Sequence, residues 1–466
     1  MMFIHRKEVI MNTKIDFIEG DTKRCLMAMF LPMLAAMALN MAYNLVDSLW
    51  IGNLLGQTAY AALTNATPLI LLLTSVAMGM TNGVSILLSQ AIGARDPEKA
   101  GRILATSLVL SLLLSAVVTG GSELLLRPLL TFLRTPQEVY RMADEYLKID
   151  LLGYPAVYLY CYFTAVLRSY GDAVFQMAAM LVCTVLNAGL DPLLIHLFGF
   201  SGAAVATVLS QILCLIAMLS YLAKKRFFAF RLSAFQTEWI APCFAKGVPA
   251  AFQQSIPAIS TGFLTSLVSG YGITALAAYG IGGKLETILF YPAMAFNMVL
   301  TTIVGQCIGG GRSDRAKDYL KSSLLYGGGL LAVLSAVVVL FSRRLSGLFV
   351  DSGAAAEIVG GYFRIVGIGY VLNTVTNCFL GAVNGMGKPM KSMLCMVVYY
   401  LIVRMPLAWL FSRMGFGLNG IWSAVLVSHG VAAAAAAVIC RLQAAAEEAR
   451  PASNLRRTGH GGGELS

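Results

Sequence analysis

One segment of this chain is written twice. Ser89-Gln90-Ala91-Ile92-Gly93-Ala94-Arg95 and Gly305-Gln306-Cys307-Ile308-Gly309-Gly310-Gly311 each end a long apolar run and precede a basic stretch. Gln90 and Gln306 are 216 residues apart, as are Gly56 and Gly272, and Gly171 and Gly387. Gly202 and Gly420 drift from that spacing by only two. Gly56 heads GQTAYAAL and Gly272 heads GITALAAY. Both copies are mostly apolar, so the repeat predicts a duplicated membrane domain.

The composition agrees. The chain is 58% hydrophobic and 12% charged, with a mean hydropathy of +0.74. A soluble domain carries about 25% charged residues. Nearly uncharged runs of about 20 residues cross a bilayer core of about 30 Å as helices. Twelve such runs are expected, near residues 25–50, 58–84, 102–122, 146–167, 173–196, 200–223, 243–268, 275–304, 319–341, 359–382, 389–412 and 418–441. The alternating segments of about 10 residues that mark a membrane β-barrel are not seen. The predicted fold class is therefore all-α and polytopic, with six spans in each repeat. An even number of spans per half makes the repeat parallel, about an axis near the membrane normal.

The net charge of +11 invites a nucleic-acid reading, but the placement of the charges rejects it. With the N-terminus inside, 24 of the 34 lysines and arginines fall on the inner side, 6 on the outer side and 4 in or near spans. That is a positive-inside bias. Both termini are thus expected in the cytosol, and the basic inner rim is expected to touch membrane lipid. Residues 1–24 read as a cytoplasmic lead-in and 25–223 as the first lobe. Residues 224–242, opening on Lys224-Lys225-Arg226, read as a cytoplasmic linker. Residues 243–441 read as the second lobe, and 442–466 as a disordered tail.

Charge at membrane depth costs roughly 2.5–3.5 kcal/mol on insertion scales, so each buried charge is a functional candidate. Asp47 follows the apolar run LAAMALNMAYNLV in span one. Asp191 lies in span five, and Asn187 precedes it by four residues, which puts the two on one helix face. Thr207 in span six adds a hydroxyl. Two carboxylates, an amide and a hydroxyl make an all-oxygen set of the kind hard cations such as Na+ prefer. Poorly hydrated carboxylates also serve as proton carriers. The bland alternative is that both acids sit at headgroup depth or cap helices. The second repeat has LIVRMPLAW at the corresponding place, so the halves share a scaffold and not a site.

The second half offers a different set: Gln253 and Gln254 in span seven, Lys284 and Glu286 in span eight, and Arg404 in span eleven. A structural ion pair between Glu286 and Arg404 is expected. Lys284 and Glu286 are two apart and do not face each other. The four histidines are scattered, and no phosphate-binding loop occurs. An enzyme is not expected, and neither is an organic cofactor or a nucleic-acid partner.

The ordered motifs resemble those of the multidrug and toxic compound extrusion (MATE) family over almost all of residues 23–442. They are Pro32, Leu45-Val46-Asp47, Ile51-Gly52 running to Gly56, Gly79-x-x-x-Gly83 and Ser89-Gln90-x-x-Gly93-Ala94. After these come Leu167-Arg168-x-x-Gly171-Asp172, Leu186-Asn187-x-x-x-Asp191 and Gly202-Ala203-Ala204-x-Ala206-Thr207. The resemblance implies twelve helices in two lobes around a V-shaped cleft. It implies export of organic, often cationic, compounds against entering sodium or protons. It also implies that the cation or proton positions fall on Asp47, Asn187, Asp191 and Thr207. Pro32 matches a proline whose helix bends in some proposed cycles. Other members use a glutamate in helix seven, where this chain has glutamines. The sequence looks most like bacterial branches that include the DNA-damage-inducible transporters.

The expected function is thus H+- or Na+-coupled antiport of amphipathic, mostly cationic drugs by alternating access. The expected location is a bacterial cytoplasmic membrane, with one chain as the working unit. A flippase for lipid-linked sugars or precursors is the alternative within the same superfamily. It would want cationic residues to hold a pyrophosphate, whereas the candidate acids here suit cations. A polytopic membrane enzyme would need a nucleophile, metal or acid/base cluster near a membrane surface, which the scattered histidines argue against, and a channel stays open as a rival that the asymmetric acids of the two lobes disfavour.

Overall fold

The structure is a computed structural model that describes residues 15–132, 135, 137–225, 232–347 and 352–449. The expected lead-in up to residue 14, linker residues 226–231 and the tail from 450 lie outside the described residues. Twelve long helices run in chain order: α1 (Thr22–Gly56), α2 (Thr58–Gly93), α3 (Pro97–Phe132), α4 (Gln137–Ser169), α5 (Ala173–Phe198) and α6 (Phe200–Lys225). They continue as α7 (Ile240–Ser269), α8 (Ile273–Gly309), α9 (Ser313–Ser346), α10 (Gly353–Gly385), α11 (Pro389–Arg413) and α12 (Gly417–Glu448). Two short 3₁₀ turns, Leu232–Ala234 and Thr237–Trp239, lead into α7.

Every helix outruns the apolar stretch that predicted it. The run 319–341, for example, becomes Ser313–Ser346. An apolar count measures only the lipid-facing middle, while helical hydrogen bonding continues through polar ends. Among the described residues, eleven helices are long and apolar enough to cross a membrane. The exception is α7, which carries Lys246, Gln253, Gln254 and three prolines. Side-chain caps fix several starts. Asp21 accepts from the Arg24 amide at 2.8 Å, Asp172 from Phe175 at 3.1 Å and Ser352 from Ala355 at 3.3 Å.

The repeat extends to the backbone of the turns. Gly56, between α1 and α2, has φ 81° and ψ −172°. Its counterpart Gly272, capping α8, has φ 97° and ψ 171°. Only glycine occupies that region without strain. Arg95 and Gly311, also 216 apart, have φ 54° and 72°. The first repeat thus places a side chain in a left-handed turn that the second fills with glycine.

The chain forms two compact units. The first holds Met27–Leu88 and Asp96–Ser255, and the second holds Phe17–Leu26, Ser89–Arg95 and the chain from Ile256 onward. In the first, Ile51, Leu63, Leu147, Ile195 and Ala203 share one apolar core. Gly79 and Gly83 of α2 lie against the backbone of Ala251 and Gly247 of α7, a small-residue contact typical of helices in lipid. In the second, Leu289, Tyr362, Phe363 and Trp422 anchor the core, with Trp422 stacked on Tyr279 at 5.6 Å. There Gly93 and Gly309 each abut the backbone carbonyl of the other repeat's glutamine, Gln306 and Gln90.

Within α11 the helix widens to a π-helical run, Val398–Arg404, before resuming as Met405–Arg413. Pro406 follows two residues later and cannot donate to a preceding carbonyl, so the ladder is already disturbed there.

Candidate functional site

In the first unit, Asp47, Asn187, Asp191 and Thr207 are all buried, and Asn187 and Asp191 are 0% exposed. Asp47 comes from α1, Asn187 and Asp191 from α5, and Thr207 from α6. Asn187 Nδ2 donates to Asp191 Oδ1 at 2.9 Å, the i, i+4 pairing expected from the sequence. Asp47 and Asp191 lie within electrostatic reach of each other. Tyr43, one turn before Asp47, faces Thr207 and Ser210 and joins the group.

The oxygens matter more than the hydrogen bond. Asp47 Oδ1, Asn187 Oδ1, Asp191 Oδ2, Thr207 Oγ1 and the Tyr43 hydroxyl are all buried without a hydrogen-bond partner. Leaving one such group unsatisfied costs about 1–3 kcal/mol. Five such oxygens come from α1, α5 and α6, with the Tyr43 hydroxyl turned toward Thr207 and Ser210. An oxygen set of this kind suits a small cation, a proton on a carboxylate, or water. Among the described residues, no three His, Cys, Asp or Glu side chains converge tightly enough to hold a metal ion. The oxygen set therefore relies on the neutral Asn187, Thr207 and Tyr43 beside its acids.

Sequence reasoning missed Tyr146 and Asp150 of α4. Tyr146 is buried, has Asp47, Asp150, Tyr43 and Asp191 as electrostatic neighbours, and lies 5.0 Å from the Phe200 ring. Asp150, one turn further, is half-buried and lies within electrostatic reach of Asp47.

The second unit holds a separate polar cluster. Glu286 of α8 accepts from the Tyr362 hydroxyl at 3.2 Å, and Tyr362 and Tyr370 hydroxyls are 3.1 Å apart. Arg404 is buried. Its Nε donates to Ser428 at 2.9 Å and its Nη2 to the Tyr399 hydroxyl at 2.8 Å. Its guanidinium sits 4.8 Å and 4.5 Å from the ring centres of Tyr399 and Tyr400. His429 Nδ1 is 2.5 Å from the Tyr399 hydroxyl.

The expected direct pairing of Glu286 with Arg404 does not occur. Among the described residues no ion pair within 4 Å joins them. Aromatic residues of α10 and α11 satisfy the two charges separately, through Tyr362 on one side and Tyr399 and Tyr400 on the other. Lys284 is exposed. Gln253 is buried and Gln254 half-buried, and both belong to the first unit. Lys284, Glu286 and Arg404 belong to the second unit. Pro32 lies inside α1, which continues through it.

Comparison with known families decides the assignment. The MatE family matches twice, over residues 32–193 and 249–410. This chain belongs to the MatE family. The two matches start 217 residues apart, the duplication already read from the glycines. This MatE chain is 27% identical over 418 residues to a probable multidrug resistance protein, YpnP, of Bacillus subtilis (strain 168), covering 87% of this chain and 92% of that protein. It is 26% identical over 429 residues to an FAD transporter of Shewanella oneidensis, covering 90% and 94%. The fold matches a MOP superfamily transporter from Pyrococcus furiosus with a TM-score of 0.89, at 24% identity, over 93% of this chain and 98% of that one. The MatE fold thus brings Asp47, Asn187, Asp191 and Thr207 together in one unit of a polytopic membrane protein.

Proposed function

We propose that this chain is an ion-coupled exporter of amphipathic organic cations, working by alternating access in a bacterial cytoplasmic membrane with both termini inside. The observation that carries the reading is the set of five buried, unpartnered oxygens around Asp47 and Asp191. Uncompensated carboxylates at membrane depth are costly. A transit state with ions or protons on the acids, and one with a cationic substrate there instead, both lower that cost. Competition between the two loads is the coupling. Arrival of H+ or Na+ from outside weakens the hold on the cation, and arrival of the cation from inside displaces the ion.

Each tenfold step of uphill export costs about 1.4 kcal/mol. A net charge moved inward through 100 mV supplies about 2.3 kcal/mol. Exchange of one ion for one monovalent cation draws only on the chemical gradient. The relative named as a multidrug resistance protein supports this reading. The test is efflux of a fluorescent lipophilic cation from proteoliposomes under separately imposed proton and sodium gradients. Efflux driven by one of them is expected, and efflux indifferent to both contradicts the reading.

One observation favours a second reading. Arg404 is a buried cation that forms no ion pair within 4 Å among the described residues, and one relative is named an FAD transporter. A pyrophosphate-bearing substrate, whether a flavin dinucleotide or a lipid-linked precursor, would supply an anion. Inhibition of cation efflux by FAD, lost in Arg404→Met, would favour this second reading.

A further inference from the structure

We propose that the second unit carries a binding groove for one anionic phospholipid, in which Arg364 holds the phosphodiester. The groove is separate from the acids of the first unit and does not depend on their coupling chemistry.

Residues of α10 and α12 line a cavity of about 380 Å³. Trp422 is its floor. That side chain is 1% exposed, stacked on Tyr279 at 5.6 Å and edge-on to Tyr362 at 4.8 Å. Ile365 and Leu418 add apolar wall, and Glu357, Arg364 and Asn419 add polar groups. Gly361 also lines the cavity, and a Cβ there would meet nothing within 4 Å. The groove thus stays open at a place where a larger side chain would close it.

The charges of the groove do not cancel. Glu357 faces Arg343 of α9 at 3.8 Å, and the Arg343 side chain lies over Gly360. Arg364 Nε donates to the Gly360 carbonyl at 3.2 Å. Among the described residues Arg364 forms no ion pair within 4 Å. The acid is answered by Arg343, so the charge left over is that of Arg364. A phosphodiester monoanion matches it in charge and in the fork geometry of a guanidinium. The Asn419 side chain makes no hydrogen bond among the described residues, and its amide suits the hydroxyls of a glycerol headgroup.

Depth points to a lipid as the source of that phosphate. α10 has 33 residues and spans about 50 Å, against a bilayer core of about 30 Å. With the helix centred, the Arg364 backbone lies within about 7 Å of the hydrocarbon boundary. Its bond to Gly360, one turn nearer the helix start, leads the guanidinium back toward that boundary, as charged side chains at membrane edges do. Ile368, one turn deeper, is 67% exposed. Apolar surface thus continues from the groove where an acyl chain would lie.

The test is native mass spectrometry of the delipidated full-length protein in detergent. Phosphatidylglycerol, phosphatidylethanolamine and phosphatidylcholine with the same acyl chains are titrated in turn. In wild type the first phosphatidylglycerol should bind about tenfold more tightly than either of the others. Arg364→Gln should remove that preference. Gly361→Leu should remove the tight lipid while leaving the lipid-free thermal midpoint unchanged or raised, since leucine favours a helix more than glycine does. Arg413→Gln, at an exposed arginine of α11 that lies against Trp409 and outside the groove, should change neither. An unchanged preference in Arg364→Gln overturns the proposal. So does a wild-type preference for phosphatidylethanolamine that Glu357→Gln abolishes, because the acid would then be the ligand. Displacement of the lipid by soluble glycerol phosphate would assign the groove to a free phosphate and overturn the lipid. Each outcome leaves ion-coupled export to be judged by its own efflux assay.

Discussion

Asn187 holds Asp191: its amide nitrogen donates to one carboxylate oxygen at 2.9 Å, while its own carbonyl oxygen and the other oxygen of Asp191 are left without partners. The amide therefore orients the acid and leaves its remaining capacity turned to a ligand. The i, i+4 spacing on α5 makes this possible without help from another helix.

Asn187→Ala should therefore act twice. It strands a buried acceptor, at a cost of about 1–3 kcal/mol in stability, and it frees the Asp191 side chain to rotate. We expect a lower thermal midpoint in detergent and at least a tenfold loss of gradient-driven dye export. Asn187→Asp restores size but not the donor and should not rescue export. Export by Asn187→Ala at the wild-type rate would show that the amide only fills space.

The close approach of Gly93 to Gln306, mirrored by Gly309 on Gln90, leaves no room for a Cβ. Gly93→Ala and Gly309→Ala should each cost about 1–3 kcal/mol through overpacking. Gly120, with nothing near its would-be Cβ, serves as the control. Gly120→Ala should be neutral or stabilising by up to about 1 kcal/mol. Thermal unfolding in one detergent compares all three.

Arg404 yields a prediction whose order is unusual. Arg404→Lys keeps a buried charge but lacks the planar fork that reaches Ser428 and Tyr399 together. Arg404→Met removes the charge as well, and the former partners keep other bonds. Ser428 donates to the Val425 carbonyl at 2.6 Å, and Tyr399 still has His429. The lysine variant should be the less stable of the two, by about 1–3 kcal/mol. A methionine variant less stable than the lysine one would mean that the charge itself is required.

How much of this was legible in the sequence varies by element. The helices were, because apolar runs and a 216-residue repeat leave few other folds for a chain in lipid. Asn187 and Asp191 were, because helical spacing puts them on one face. Asp150 was not. It closes the charged stretch Asp144-Glu145-Tyr146-Leu147-Lys148-Ile149-Asp150, which reads as a helix end at the membrane surface, and only packing shows that Tyr146 within it turns inward. The Glu286–Arg404 pairing failed for a related reason. Opposite charges on different helices suggest a contact, but the sequence gives no sign that Tyr362, Tyr370, Tyr399 and Tyr400 answer each charge first. The π-helical turn before Pro406 left only the proline as a signal.

The charge bias predicts that both termini face the cytosol. Epitope tags at residues 5 and 460 should resist protease added to intact cells and be cleaved once the membrane is permeabilised. Cleavage of either tag in intact cells would contradict the cytosolic placement of the termini.

The central claim is that Asp47 and Asp191 couple ion entry to export, and one pair of variants tests it most directly. Asp47→Asn and Asp191→Asn are reconstituted at matched protein levels, and dye export is measured under the gradient that drives wild type. Dye-for-dye exchange is measured beside it with no gradient. Both variants should lose gradient-driven export by at least about 100-fold, the cost of removing an interaction worth roughly 2.7 kcal/mol, and should lose far less of the exchange. Gradient-driven export at the wild-type rate in both variants would contradict the account and move the search to Glu286 and the second unit.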